Sequence, residues 1–176
     1  MLNLSKNRQE KKSVHFYIID NDASFANKLS RSLSNDPDYK IDTFYNKDEF
    51  MESYNSVVLR KRKEKINIVI IDSNQLDQPN DLELIHTIKQ NLKNTEIIIL
   101  TEEENTNIGS DVLQSGVYSV IPKNDNIFYR IENSAKGIKS LKNFMNTRKI
   151  MLVSLAVFMG FIIAIGILFF ILMLSS

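Results

Sequence analysis

Short apolar runs alternate with amphipathic stretches along most of this chain. Five runs are rich in β-branched and aromatic residues, which is typical of strands. The predicted strands cover residues 14–19, 41–45, 66–71, 96–100 and 117–121. The first, third and fourth are continuous apolar runs, which predicts strands that are buried on both faces.

Apolar residues at helical spacing follow each predicted strand. In the first helix one face carries Phe25, Ala26, Leu29 and Leu33, and Asp22 is a suitable N-cap. Further helices are predicted at about 47–60, 80–93 and 105–115, and a fifth begins after Asp125. Gly116 is a natural C-cap for the fourth helix. Because the connections are short, the pattern predicts a (βα)5 domain with a doubly wound parallel sheet.

The C-terminal part of the chain has a different pattern. The 25 residues from Ile150 to Leu174 contain no charged side chain. As a helix they measure roughly 37 Å, which is enough to cross a hydrocarbon core of about 30 Å. A buried core helix of this kind needs a larger protein around it. The segment is therefore predicted to be a transmembrane helix.

Charge divides the chain in the same way. All 21 acidic residues lie at or before Glu132, whereas five basic residues and no acid follow Asn133. Basic residues beside a span stay in the cytoplasm, which predicts a single-pass protein of the cytoplasmic membrane with its N-terminal domain inside and its C-terminus outside. The main domain is mildly acidic, which argues against nucleic-acid binding. The chain has no cysteine, so disulfides and thiolate metal sites are excluded.

Small residues recur every four positions within the predicted span. Ala156, Gly160 and Ala164 share one helical face, and this spacing lets two helices approach closely. One interpretation is a homodimer formed through this face. The other is that alanine and glycine are simply common in membrane helices.

Polar residues come soon after four of the predicted strands end. They are Asp20 with Asn21 and Asp22, then Asp72, Thr101 and Lys123. In a doubly wound sheet such positions converge on one pocket. The set suits phosphoryl transfer onto a carboxylate, with Asp72 as the nucleophile and Lys123 neutralising a phosphoryl oxygen. Asp20 and Asp72 are candidate Mg2+ ligands, and Thr101 is a candidate hydrogen-bond donor to the phosphoryl group.

Four motifs carry a resemblance to a known family. They are IIDND (18–22), VIIDSNQ (69–75), ILTEEE (99–104) and GVYSVIPKN (116–124). With intervals of 29 residues from Asp72 to Thr101 and 22 from Thr101 to Lys123, residues 13–143 resemble the receiver domain of bacterial response regulators. The resemblance implies strand order 2-1-3-4-5, a metal ligand from the backbone carbonyl of Asn74, phosphorylation by a histidine kinase or phosphotransfer protein, and an effector protein as partner.

Two departures from the family pattern bear on the site. Asn21 stands where the family usually has a second acid, and Asp22 is out of register by one, so Mg2+ binding is expected to be weaker. Val120 stands where the family usually has an aromatic switch residue. Glu102–Glu104 is expected to form a solvated acidic loop beside the site.

The sequence thus predicts four segments and two functional hypotheses. The segments are a basic arm (1–12), a receiver-like domain (13–143), a basic juxtamembrane linker (144–149) and a transmembrane helix (150–174). The first hypothesis is a membrane-anchored receiver that is phosphorylated on Asp72, is not an enzyme, contacts membrane lipid and has no output domain. The alternative is a pseudoreceiver that acts without phosphorylation as a membrane adaptor or scaffold subunit.

Overall fold

The computed structural model describes residues 13–58, 66–76, 81–91, 94–102 and 114–174. The strands are β1 (Val14–Ile19), β2 (Tyr39–Phe44), β3 (Ile66–Asp72), β4 (Thr95–Thr101) and β5 (Ser119–Pro122). The helices are α1 (Ala23–Leu33), α2 (Lys47–Val58), α3 (Asp81–Asn91) and the C-terminal helix α4 (Ile127–Leu174), with a 3-10 turn at Ser73–Gln75. The helix predicted at 105–115 lies almost entirely outside the described residues.

All five strands are parallel and form one sheet in the order β2-β1-β3-β4-β5. Both the predicted fold class and the predicted strand order are confirmed. The chain reverses direction of winding at β1, because β2 lies on one side of it and β3 on the other. In such sheets the crevice beyond the carboxyl ends of the strands is the usual ligand site.

The sheet has a separate apolar core on each face. Alternate residues of one strand point to opposite faces, so Phe16 and Ile18 pack with α1 and α4, while Tyr17 and Ile19 pack on the side of α2 and α3. Every side chain of β1 and β3 is buried, as continuous apolar runs predict for central strands.

The two outer strands differ most from the predicted bounds. β2 begins at Tyr39 because this buried residue pairs with Val14 in the ladder. The polar residue Lys40 hides that start from a search for apolar alternation. β5 is shifted toward the C-terminus and ends at Pro122, whose backbone has no N–H to donate to a ladder.

Asp22 caps α1, as its position predicts. Its Oδ1 accepts hydrogen bonds from the backbone N–H groups of Ser24 at 2.8 Å and Phe25 at 3.1 Å. These N–H groups have no partner inside the helix, so the cap stabilises its first turn.

The chain divides into two units, residues 1–139 and 140–176. In the first unit Ile127, Ile131 and Ile138 of α4 are buried in the core of the domain. In the second unit the described side chains from Ile150 to Ile167 are exposed. By length and composition alone, α4 is long and apolar enough to cross a membrane.

Candidate functional site

Four polar residues meet at the carboxyl edge of the sheet. Asp20 follows β1, Asp72 ends β3, Thr101 ends β4, and Lys123 follows β5. These strands are consecutive neighbours in the sheet, so their ends lie side by side. The convergence that the sequence predicts is therefore present.

The ammonium group of Lys123 is the centre of this cluster. Its Nζ contacts Asp72 Oδ2 and lies 3.0 Å from Asp20 Oδ2 and 3.2 Å from Glu102 Oε1. The side chains of Asp20 and Asp72 are each only 1% exposed and that of Lys123 12%, whereas that of Glu102 is 63% exposed. Two buried carboxylates thus share one ammonium, and a third carboxylate reaches it from solvent.

The second oxygen of each buried carboxylate is held by the backbone. Asp20 Oδ1 accepts a hydrogen bond from the N–H of Asp22 at 2.8 Å. Asp72 Oδ1 accepts one from the N–H of Asn74 at 2.7 Å, at the start of the 3-10 turn. Both carboxylates are consequently fixed in orientation before any ligand arrives.

Burial and charge act in opposite directions on the groups of this pocket. Burial raises the pKa of Asp20, although the N–H of Asp22 and the ammonium of Lys123 favour the charged carboxylate. For Lys123, burial lowers the pKa, but the hydrogen bonds and charges of Asp72 and Asp20 outweigh burial and raise the pKa above 10.5, its ordinary value. Lys123 is therefore a permanent cation at physiological pH.

The backbone sets the position of Lys123. Its N–H donates to the carbonyl oxygen of Thr101 at 2.7 Å, one step beyond the ladder pair of Thr101 and Pro122. Thr101 itself is buried. The hydroxyl-bearing residue and the lysine are thus held together by the sheet.

Two contacts of Lys123 were missed by the sequence prediction. Glu102 was expected only to be part of a solvated acidic loop, but its carboxylate reaches the ammonium. The ring of Phe25 on α1 lies 4.8 Å from Nζ, and this ring stacks on Phe128 of α4 with their centroids 6.0 Å apart. The position of Glu102 directly after Thr101 was the available sign that it lies near the site. Whether its side chain reaches Lys123 depends on the backbone direction at residue 102.

The residues around Asp20 bear on metal binding. The carboxylate of Asp22 caps α1, and Asn21 is exposed. Within the described residues no group of three or more His, Cys, Asp or Glu side chains is arranged to hold a metal ion. Two buried carboxylates remain, and Mg2+ commonly binds proteins through one or two carboxylates plus water, so Asp20 and Asp72 fit this ion.

Comparison with known families gives one match over most of the domain. A family model described as "Response regulator receiver domain" matches residues 16–132. Curated protein sequences give no significant match.

Several solved structures have a similar fold. A response regulator from Thermotoga maritima is 19% identical, with a TM-score of 0.57 and coverage of 73% of this chain and 98% of that chain. A response regulator receiver protein from Burkholderia phymatum is 19% identical, with a TM-score of 0.58 and coverage of 73% and 96%. A response regulator protein from Burkholderia pseudomallei, solved with a phosphorylated aspartic acid, a calcium ion and citrate, is 19% identical, with a TM-score of 0.53 and coverage of 76% and 75%.

Proposed function

The chain belongs to the response regulator receiver domain family, which implies phosphoryl acceptance in two-component signalling, and from this premise we propose that Asp72 is the phosphoryl acceptor. The observation that carries the proposal is the contact of the Lys123 ammonium with the buried carboxylate of Asp72, beside Asp20. The phosphoryl donor is a histidine kinase or a phosphotransfer protein.

The transfer forms one bond and breaks one. A carboxylate oxygen of Asp72 attacks the phosphorus of a phosphohistidine and forms an acyl phosphate. The P–N bond breaks, and the imidazole nitrogen keeps the electron pair and takes up a proton. Since the backbone N–H of Asn74 already orients the carboxylate, little reorganisation precedes the attack.

Lys123 and Thr101 act on the transferred group. The ammonium of Lys123 neutralises a phosphoryl oxygen while remaining next to Asp72. The hydroxyl of Thr101, which ends the neighbouring strand β4, donates a hydrogen bond to another oxygen. Together they stabilise negative charge that water would otherwise solvate.

Mg2+ is the cofactor of the proposed reaction. The carboxylates of Asp20 and Asp72 and the backbone carbonyl of Asn74 would hold it, without a side-chain ligand from Asn21 or Asp22. When bound, the ion supplies positive charge that offsets the repulsion between carboxylate and phosphoryl oxygens. In the present structure the counter-charge between the two carboxylates is the ammonium of Lys123.

A specific set of observations favours the alternative, a pseudoreceiver that acts as a membrane adaptor or scaffold subunit. Lys123 already contacts three carboxylates, and Asn21 supplies no second acid. The half-buried residue in the aromatic switch position is Val120, so no ring is present there to respond to phosphorylation. In this reading Asp72 and Lys123 form a structural ion pair.

We also propose that residues 150–174 anchor the protein in the cytoplasmic membrane. Support comes from the uncharged helical segment with exposed side chains and from the basic residues that precede it. In this arrangement residues 13–143 form the cytoplasmic domain, which contacts an effector protein, and residues 144–149 form the linker. Homodimerisation through Ala156, Gly160 and Ala164 remains a prediction.

Phosphorylation of the full chain in detergent micelles tests the proposal. The protein is incubated with Mg2+ and radiolabelled acetyl phosphate, and incorporated label is measured by gel and scintillation counting. We expect label in the wild type and in Asp48→Asn, whose carboxylate is exposed on α2, and none in Asp72→Asn. Equal label in Asp72→Asn, or no label in either the wild type or Glu102→Gln, which removes the exposed acid from Lys123, would establish the pseudoreceiver instead.

A further inference from the structure

Glu102 is the third acid on the Lys123 ammonium, and it differs from the other two. Asp20 and Asp72 are buried, and each has one oxygen fixed by a backbone N–H group. Glu102 is an exposed residue, and the contact of its Oε1 with Nζ at 3.2 Å is made from the solvent side. Of the three carboxylates, only this one can turn away into water at little cost.

The bonding capacity of the ammonium makes this difference important. An ammonium group has three N–H donors, and Lys123 Nζ has three carboxylates around it. The ring of Phe25, 4.8 Å away, covers a further side. A phosphoryl oxygen has to compete with these carboxylates for Nζ, and the exposed carboxylate of Glu102 is the one that gives way most easily.

Charge adds to this competition. A small phosphodonor such as acetyl phosphate is dianionic near neutral pH and has to approach the mouth of the pocket where Glu102 lies. The negative charges of the donor and of Glu102 repel each other. Solvent partly screens this repulsion because the Glu102 carboxylate is exposed. Glu102 thus opposes the donor twice, by occupying Lys123 and by its own charge.

We propose that Glu102 is a specificity-determining residue of the phosphoryl acceptor site, which slows charging of Asp72 by small anionic phosphodonors. This inference rests on the proposed function of Asp72. The contact consequently disfavours phosphorylation of Asp72 by small anionic metabolites.

The initial rate of labelling by acetyl phosphate tests this role, with the full chain in detergent micelles. Glu102→Gln keeps the size of the side chain and removes its charge. We expect it to be labelled roughly two- to fivefold faster than the wild type, the range that an exposed ion pair provides. Glu52→Gln, which removes an exposed charge from the middle of α2, is the matched control and should be labelled at the wild-type rate.

Two further conditions separate charge from a general loosening of the site. The rate ratio of Glu102→Gln to the wild type should shrink at about 1 M salt, where the screening length is roughly 3 Å. The ratio should also be smaller with phosphoramidate, which carries less net negative charge than acetyl phosphate near neutral pH. The double variant Glu102→Gln/Asp72→Asn should take up no label.

The outcomes distinguish this inference from the proposed function. If the wild type is labelled and Glu102→Gln is labelled at the same rate or more slowly, the role of Glu102 is overturned while Asp72 remains the acceptor. Label in Glu102→Gln alone, lost in the double variant, supports the role in its strongest form. If neither chain is labelled, the acceptor role of Asp72 fails, and the role of Glu102 fails with it.

Discussion

Lys123 has a structural task whether or not Asp72 is phosphorylated. It is the counter-ion of two carboxylates whose side chains are 1% exposed. Removing one partner of a buried ion pair leaves uncompensated charge in a medium that solvates it poorly. The residues that suit the chemistry are therefore also residues on which the stability of the domain depends.

Lys123→Met is expected to lower the free energy of unfolding by roughly 3 kcal/mol at pH 7. At this pH the contribution of Lys123 is fully present, because its pKa is raised in the folded state and the contribution is lost only as the pH rises above 10.5 and through the folded pKa. Urea unfolding of the full chain in detergent, followed by tyrosine fluorescence, measures the effect. All six tyrosines lie at or before Tyr129, so the signal reports on the N-terminal unit.

The loss of unfolding free energy caused by Lys123→Met should become smaller as the pH falls below neutrality. Burial raises the pKa of Asp20 and the ammonium of Lys123 lowers it, so removal of Lys123 raises this pKa further in the variant. The folded variant therefore binds a proton more tightly than the folded wild type and regains part of the lost stability as the pH drops. Lys28→Met, at an exposed position of α1, is the control and should unfold like the wild type. A Lys123→Met defect that is absent, or that grows at lower pH, would contradict this account.

Residue positions at the site were predictable to the extent that strand ends fix them. Asp20, Asp72, Thr101 and Lys123 follow apolar runs, and a parallel sheet brings such positions together. The contact of Glu102 with Lys123 depends on the path of the chain after β4, which periodicity does not encode. The carboxylate of Asp22 was a clearer case, since its spacing from α1 marks an N-cap.

At the scale of elements, strands were predicted best where both faces are buried. β1 coincides with its predicted bounds, β3 is one residue longer at its end, and β4 is one residue longer at each end, because a continuous apolar run leaves little choice. β2 and β5 are shifted by about two residues at their starts, since pairing with a neighbour decides where an outer strand begins. The first residue of such a strand is therefore not marked by the start of an apolar run.

The apolar residues at the start of α4 allow two interpretations from the sequence. Their spacing from Ile127 to Met145 alternates between four and three residues, which is typical of a short heptad seam, and the alternative is that they only pack on the sheet. The structure instead buries Ile131, Ala135 and Ile138 in the domain core, whereas Leu141 and Met145 are 46% and 48% exposed. The first turns of α4 consequently belong to the packing of the sheet.

Separate substitutions of Ile138 and Leu141 by alanine test where α4 stops packing in the domain core. Ile138→Ala should lower the free energy of unfolding by roughly 2–5 kcal/mol, because it removes a fully buried side chain and leaves a cavity. Leu141→Ala, one turn further along, should change it by less than about 1 kcal/mol. Tyrosine fluorescence during urea unfolding measures both, and equal losses would favour a seam that continues past the domain.

For the whole molecule, the exposed apolar side chains after Ile150 predict membrane attachment. The full chain should remain in the membrane pellet after an alkaline carbonate wash. Val157→Asp combined with Ile162→Asp should release it, because each charge near the centre of a span costs roughly 2.5–3.5 kcal/mol of insertion free energy. Tyr45→Asp, at an exposed position of the N-terminal unit, is the control and should stay in the pellet. A wild type that washes off would refute anchoring by this segment.

The edge strands of the described sheet, β2 and β5, bear on whether copies of the domain can pair with each other. Exposed strand edges invite pairing with another chain, and the proposed membrane anchor would bring copies of the domain together often. At one end β2 carries Lys40 and Asp42, and at the other end β5 is only four residues long and finishes at Pro122. Charges, shortness and proline all discourage the addition of a strand. Within the described residues, both end strands of the sheet thus carry features that disfavour edge-to-edge aggregation.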